Sequence, residues 1–275
     1  MSLIVSCPAK LNLFLAVGPI DTRGYHPIRS IFQAVGLYDA MRIDLDVSET
    51  TVDFLGADVP ESNTVTKALR LMAEYTDLPA MRIEIEKRIP SEAGLGGGSS
   101  DGAGIIRAMR YLHPERLSER DALTVAKAVG ADVPFFLVGG RAKATGYGDI
   151  LEPLNDPEPS WTVIVKPSVG CSTPAMYQAL DELTYEWKDF EGDAVYNDFE
   201  RVAPCQCTDT IERLGVFGAT NAGLSGSGSA LFGLFESEDA ALAAQKRAEE
   251  EQLGQVWVAP LLTRKESLSL VRISG

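Results

Sequence analysis

The sequence predicts an α+β fold with substantial antiparallel sheet, divided into two domains. Three observations carry this. Strand-like and helical patterns mix along the chain without a regular βαβ rhythm. Met41–Val47 and Met81–Glu86 alternate apolar and polar residues, as half-buried antiparallel strands do. Pro153, Pro157 and Pro159 cluster in a chain of 275 residues, which exceeds the common single-domain length of ~100–150.

The elements follow in order. Leu3–Ser6, Leu11–Val17, Ile28–Val35 and Met41–Val47 read as strands separated by Gly, Pro and Asp. Asn63 opens a helix in which Val65, Leu69 and Met72 recur on one face. After the Met81–Glu86 strand and a glycine-rich loop, a helix is expected over Ser99–Leu112. A second starts near Ser118, where Ser118-Glu119-Arg120-Asp121 resembles a capping box. Pro134–Val138 and Arg141–Thr145 read as a short strand pair turned at Gly139-Gly140. The Pro-rich stretch cannot continue a helix or a central strand and is the linker. It divides the chain into residues 1–152 and 160–275. Beyond it, Trp161–Lys166, Ala230–Phe235, Trp257–Thr263 and Leu268–Ile273 are strand-like; Pro174–Leu180, Thr208–Leu214 and Glu238–Glu251 are helical.

A formal net charge of -14 excludes a basic nucleic-acid footprint, and an anionic membrane would repel such a surface. Anionic small molecules are compatible with it, because helix N-terminal N–H groups and Mg2+ hold phosphate whatever the overall charge. No apolar run approaches the ~18 residues of a spanning helix. Met1–Lys10 lacks the layout of a secretory signal, so a cytoplasmic location is expected. Four cysteines (Cys7, Cys171, Cys205, Cys207) without a C-x-x-C, and only two histidines (His26, His113), are a thin supply for zinc and read as reduced thiols.

The sharpest feature is Pro90-Ser91-Glu92-Ala93-Gly94-Leu95-Gly96-Gly97-Gly98-Ser99-Ser100, between a strand and a helix. Glycine allows positive φ and close backbone approach to a ligand. The first N–H groups of the following helix lack intrahelical partners and, with the macrodipole, form an anion site. Ser99 and Ser100 add hydroxyls for phosphate oxygens or a magnesium shell. The chain has no Gly-Lys pair, so this is not a P-loop; position six from Gly94 is Ser99, so the dinucleotide fingerprint fails too. The plain alternative is a serine-capped flexible loop, but so many glycines cost entropy unless the backbone geometry requires them. Ala222-Gly223-Leu224-Ser225-Gly226-Ser227-Gly228-Ser229 is a second small-residue loop, able to pack against a ligand, against the first loop, or merely as a tight turn.

Pro8-Ala9-Lys10-Leu11-Asn12-Leu13, Gly94–Ser100 and Leu224-Ser225-Gly226-Ser227-Gly228 resemble, in order, the three motifs of the GHMP kinase superfamily (galactokinase, homoserine kinase, mevalonate kinase and relatives). Gly24-Tyr25-His26, Phe32-Gln33, Leu37-Tyr38-Asp39, Gly130-Ala131-Asp132-Val133-Pro134-Phe135-Phe136 and Asn197-Asp198 narrow the resemblance to the 4-diphosphocytidyl-2-C-methyl-D-erythritol kinase family. It covers roughly residues 4–235.

The resemblance implies a two-domain GHMP kinase fold: an N-terminal half like ribosomal protein S5 domain 2, a ferredoxin-like C-terminal half, and substrates in the cleft between them. It implies ATP as phosphoryl donor with Mg2+, and a cytidylyl-methylerythritol alcohol as acceptor in non-mevalonate isoprenoid synthesis. Asp132 would serve as base or orienter of the hydroxyl, with Lys10 beside it; read alone, Asp132 is a turn carboxylate and Lys10 a surface lysine. Residues 90–100 would hold the phosphates. Asn63 and Lys87 would lie near adenine, with an N-cap and a solvated strand charge as their plain alternatives. Tyr25 would stack on cytosine and His26 bond the base edge, with Tyr196 across the base and Asn12 at the methylerythritol end. No magnesium ligand is identified. No nucleic-acid or membrane partner is expected, and the chain would be a monomer or weak homodimer.

Some residues depart from the family pattern. Arg23 and Pro27 flank Gly24-Tyr25-His26 where acidic residues are usual, and Pro27 removes a backbone N–H. Glu92 would repel a triphosphate unless it points to solvent or to magnesium. A homoserine- or mevalonate-type kinase is the nearest alternative, opposed by Tyr25-His26, since those substrates carry no base. A nucleotide-binding regulator that lost catalysis is opposed by the retained Lys10 and Asp132. A structural module would leave the glycine loops without purpose.

Overall fold

The structure, a computed structural model, describes residues 2–55, 63–190 and 194–273; the outermost ends of the division expected from sequence, residues 1 and 274–275, lie outside them. Its spine is one long hairpin where the sequence reads as four short strands. Strands β1 (Ser2–Val17) and β2 (Ile28–Asp44) pair antiparallel from Ser2↔Asp44 to Val17↔Ile28. Residues that look like breaks are absorbed as bulges. Pro8 pairs with Tyr38 and Ala9 with Val35, so Gly36 and Leu37 are extra on β2; Leu13 is extra on β1 between Asn12↔Phe32 and Phe14↔Ile31. A proline is tolerated where the ladder is already interrupted.

The first bulge exchanges the faces of β1. Leu3, Val5 and Cys7 belong to the core shared with the helices, whereas Ala9, Leu11 and Leu13 join a second core with Ile164, Phe232 and Ala259. Lys10 and Asn12 lie two residues apart, hence on one face. The exchange turns that face toward the glycine-rich loop: a β-carbon on Gly96 would stand 3.2 Å from Lys10 Cγ.

The hairpin is followed by β3 (Thr51–Leu55), α1 (Thr64–Met72), β4 (Arg82–Glu86), α2 (Gly97–Leu112), α3 (Glu119–Val129), the short α4 (Phe135–Val138), β5 (Arg141–Thr145) and β6 (Ile150–Pro153). Then come β7 (Trp161–Lys166), α5 (Thr173–Asp181), β8 (Tyr196–Asn197), a 3-10 turn at Asp198–Arg201, α6 (Cys205–Val216) and β9 (Asn221–Leu224). The chain closes with β10 (Leu231–Phe235), α7 (Glu238–Glu250), β11 (Gln255–Pro260), α8 (Arg264–Ser267) and β12 (Leu270–Ile273). One sheet runs β12-β1-β2-β4-β3, with β5 also on β2, β6 on β5 and β8 beside β1. The other runs β11-β7-β10-β9, antiparallel throughout. Helices α1, α2 and α3 pack together, with α2 on β1, while α6 and α7 cover the second sheet.

Caps expected from sequence form: the Asn63 side chain accepts from Thr66 N (2.9 Å), and the Ser118 hydroxyl from Asp121 N (3.1 Å). Helix α2 starts two residues before the expected Ser99, with Gly96 at its N-cap in the left-handed region (φ 72°). The expected strand over Pro134–Val138 is instead helical. Pro134 adopts φ -55°, ψ -36°, and Phe135 N and Phe136 N donate to the carbonyls of Asp132 and Val133. Burying both Phe135 and Phe136 favours this turn over a strand that would expose one of them; the Phe135 ring packs edge-on with both Phe32 and Phe136. β5 therefore pairs with β2, at Ser30–Gln33.

The Pro-rich segment runs between β6 and β7, pinned by Arg264 N donating to Asp156 Oδ1 (2.7 Å). Strands β8 and β12, beyond it, return to β1. Among the described residues no helix is long and apolar enough to cross a membrane.

Gly104 brings α2 onto β1: a β-carbon there would stand 2.6 Å from the buried Cys7 Sγ. Gly104→Ala is expected to destabilise by about 1–3 kcal/mol, as overpacking does. Urea unfolding should also show that Gly104→Ala with Cys7→Ala costs less than the sum of the two.

Candidate functional site

The glycine-rich loop is held main chain to main chain. Gly94 has φ 74°, and a β-carbon on it would stand 2.1 Å from the carbonyl oxygen of Ser225, so only glycine fits. Across that contact the Ser225 hydroxyl donates to Gly94 O (3.0 Å) and Ala230 N to Ala93 O (3.1 Å). On the other side Lys10 N donates to Leu95 O (2.9 Å). The three sequence blocks containing Lys10, Gly94 and Ser225 thus meet in one place. Helix α2 begins with a side-chain-free N-cap and no acid in its first turn, leaving the N–H groups of its start for an anion. The Ser100 hydroxyl is buried without a hydrogen-bond partner.

Beneath that first turn lies a buried charge cluster. Lys87 pairs with Asp39 and with Asp101 (2.6 Å). Asp39, fully buried, also accepts the N–H groups of Arg88 (2.6 Å) and Ile89 (2.8 Å) through Oδ1. Burial opposes the Lys87 charge, but Asp101 and Asp39 outweigh it and raise its pKa. Burial pushes the Asp101 carboxyl up, against the pull of Lys87. Lys87 is thus a counter-ion for two acids and not a solvated strand charge. Asn63, although it caps α1, lines with Lys87 and Gly96–Ser99 a cavity of about 440 Å³.

A larger cavity, about 940 Å³, is lined by Gly94 of the same loop. Lys10 and Asp132 stand at its inner end, Nζ to Oδ2 3.4 Å. Lys10 is 3% exposed, so its ammonium depends on protein partners. It donates to Asn12 Oδ1 (2.5 Å); Asn12 Nδ2 donates to the Ser30 hydroxyl (2.9 Å), which donates to Phe14 O (2.6 Å). Asn12 lines this cavity too, and its amide, engaged at both ends, holds Lys10 in place. Asp132 does not cap α4, whose N-cap position is Pro134.

Tyr25 and His26 line the outer end. Gly18 O lies 2.9 Å from His26 Nδ1, which must therefore be the donor; Nε2 faces Asp181 (3.5 Å). The His26 ring leans on Tyr177 (5.0 Å, 31°), which meets Phe199 edge-on. Burial, then the charge of Asp132, pushes the Tyr177 phenol up to about 12, so it stays neutral. Tyr196 is elsewhere: it packs on Phe14 (5.4 Å), its hydroxyl donates to Asp198, and it does not line this cavity. Tyr177 and Tyr147 line it instead, and sequence reasoning missed both. Tyr177 sits between Met176 and Leu180 on an ordinary amphipathic helix, so only tertiary structure singles it out. Among the described residues no group of three or more His, Cys, Asp or Glu could hold a metal, and all four cysteines are free thiols.

The GHMP kinases N terminal domain model matches residues 63–140, and the GHMP kinases C terminal model residues 207–253. A 4-diphosphocytidyl-2-C-methyl-D-erythritol kinase from Exiguobacterium sibiricum is 36% identical over 88% of this chain and 92% of its own. One from Geobacter metallireducens is 37% identical, over 87% and 92%. The crystal structure of a 4-(cytidine 5'-diphospho)-2C-methyl-D-erythritol kinase superposes with TM-score 0.81 at 31% identity, covering 94% of this chain and 98% of that one. A homoserine kinase from Cytophaga hutchinsonii, 18% identical with TM-score 0.73 over 98% and 97%, shares the fold. With both GHMP kinase models in place and such identity across nearly the whole length of these relatives, the chain belongs to the 4-diphosphocytidyl-2-C-methyl-D-erythritol kinase family of the GHMP kinases.

Proposed function

We propose that this chain transfers the γ-phosphoryl group of ATP to the 2-hydroxyl of 4-diphosphocytidyl-2-C-methyl-D-erythritol, giving the 2-phosphate and ADP in non-mevalonate isoprenoid synthesis. One observation carries the reading: the Lys10–Asp132 pair stands where a cavity with an aromatic far end meets the glycine-rich loop. The nucleotide enters from the Asn63–Lys87 cavity and lays its phosphates over the amides of Gly96–Ser99. The cytidylyl alcohol fills the larger cavity, with cytosine beside Tyr25 and His26 and the reacting hydroxyl at Asp132.

Asp132 accepts a hydrogen bond from that hydroxyl and aims its oxygen at the γ-phosphorus. As the oxygen–phosphorus bond forms, the bond to the ADP oxygen breaks and the proton passes to the Asp132 carboxylate. In a loose transition state the early barrier is one of alignment and charge, which suits a carboxylate held beside an ammonium. Lys10, fixed by Asn12, pairs with Asp132 and offsets charge on the transferring group. The residues fit magnesium as a companion of the nucleotide: the unpartnered Ser100 hydroxyl and neighbouring Ser99 would hold it. Bound there, it neutralises phosphate charge.

The same reading assigns residues 1–152 to an S5 domain 2-like half and 160–275 to a ferredoxin-like half, with β8 and β12 crossing back to the first sheet. It makes the chain a cytoplasmic enzyme, monomeric or weakly dimeric, without nucleic-acid or membrane partners; the net charge of -14 supports the last point.

ADP release with Mg-ATP, measured on the cytidylyl alcohol, mevalonate and homoserine, tests the assignment; preference for either of the latter two would overturn it. Asp132→Asn should lower kcat at least ~10²-fold with ATP binding retained, and near-normal turnover would remove Asp132 from the mechanism. Tyr25→Ala should raise KM for the cytidylyl substrate ~10-fold, as loss of one stacked base predicts, while KM for ATP stays put; parallel rises in both would refute stacking.

A further inference from the structure

Tyr25 is 65% exposed at a loop tip, yet a stacking platform is useful only when its ring is held before the base arrives. Asp21 fixes its main chain. Asp21 N donates to Tyr25 O (2.8 Å), and Asp21 Oδ1 accepts from Arg23 N (2.9 Å) and Tyr25 N (3.2 Å). Gly24, at φ 81°, lets the chain turn back to make those contacts.

The other oxygen of the same carboxylate reaches a different element. Asp21 Oδ2 accepts from the Tyr147 hydroxyl and from Arg23 Nε (3.2 Å). Tyr147 rises from the turn between β5 and β6, and its ring meets that of Tyr25 edge-on, centroids 5.8 Å apart at 62°. The Arg23 guanidinium lies over the Tyr147 ring at 4.6 Å. That turn is itself anchored. Ile28 N donates to Gly146 O (2.7 Å), Tyr147 N to Asp149 Oδ1 (3.2 Å), and Lys127 pairs with Asp149 (3.1 Å). The Tyr147 hydroxyl, more than the Arg23 and Tyr25 donors, holds the Asp21 carboxyl down to about 2, so the acceptor stays ionised at neutral pH.

We propose that Tyr147 and Asp21 are positioning residues that preform the base platform: one carboxylate restrains the main chain of Tyr25 and, through Tyr147, its ring. The inference rests on the cytidylyl reading of this cavity and adds how selectivity for the base is built into it. Arg23 takes part by covering the Tyr147 ring, which gives its departure from the usual acid a physical role.

The test is steady-state kinetics on the cytidylyl substrate and ATP for the wild-type chain, Tyr147→Phe, Tyr25→Ala and the double variant. Tyr147→Phe keeps the ring and removes only the bond to Asp21. It should raise KM for the cytidylyl substrate about three- to tenfold, as loss of a charge-assisted bond predicts, with KM for ATP unmoved. In the Tyr25→Ala background the same change should have no further effect, because Tyr147 acts through Tyr25. An unchanged KM in Tyr147→Phe, or an equal rise with and without the Tyr25 ring, would overturn the inference while leaving the functional reading intact. Absence of wild-type turnover on the cytidylyl compound would overturn both.

Discussion

The site depends on the contact between Gly94 and the Ser225 carbonyl, where no β-carbon can stand. It joins a loop of the first sheet's helical face to a loop of the second sheet by close main-chain approach, reinforced by the Ser225 hydroxyl. The start of α2 therefore has a fixed direction relative to both halves of the chain. Its free amides can then act as a preorganised anion site, because reorientation does not have to accompany binding. A chain with net charge -14 can hold a polyphosphate this way, since dipoles aimed at short range outweigh a diffuse surface charge screened over ~10 Å.

Buried charge shows the same economy. Lys10 and Lys87 are each held by groups that could not be left unpaired: Lys10 by Asn12 and Asp132, Lys87 by Asp39 and Asp101. The two clusters differ in what they face. Asp132 remains a third exposed on the cavity wall, whereas Asp39 and Asp101 are sealed under the first turn of α2. One pair borders an open cavity; the other fixes the loop's floor.

Much of this was legible in the sequence where local physics decides. Asn63 and Ser118 cap their helices because their side-chain oxygens reach the orphan N–H groups whatever the tertiary setting. The glycine run 94–98 reads as a place for positive φ; Gly94 and Gly96 have it, whereas Gly97 and Gly98 open the helix. Lys10, Asp132, Tyr25 and His26, far apart in sequence, line one cavity; only the resemblance to a family linked them beforehand. What tertiary packing decides was not legible. Pro8 looked like a strand break because a proline lacks a ladder donor, but bulges in the hairpin accommodate it. Phe135-Phe136 looked like a strand until a core needed both rings at once. Tyr196 lies next to Asn197-Asp198, but nearness along the chain does not say which way a two-residue strand points its ring.

The departures from the family pattern also resolve into geometry. Pro27 gives up an N–H, but its carbonyl still accepts from Gly18 N (2.7 Å), so the entry of β2 stays closed against the end of β1. Glu92 has φ 54° and is exposed at the loop's rim, where its carboxylate can stay hydrated even though the residue borders the cavity lined by Gly96–Ser99. The adjacent Ser91 carbonyl is held by Lys166 Nζ (2.8 Å), which places a cation from the second sheet beside that acid. Both departures leave untouched what sets the loop's geometry, the backbone contact of Gly94 with Ser225 and the start of α2.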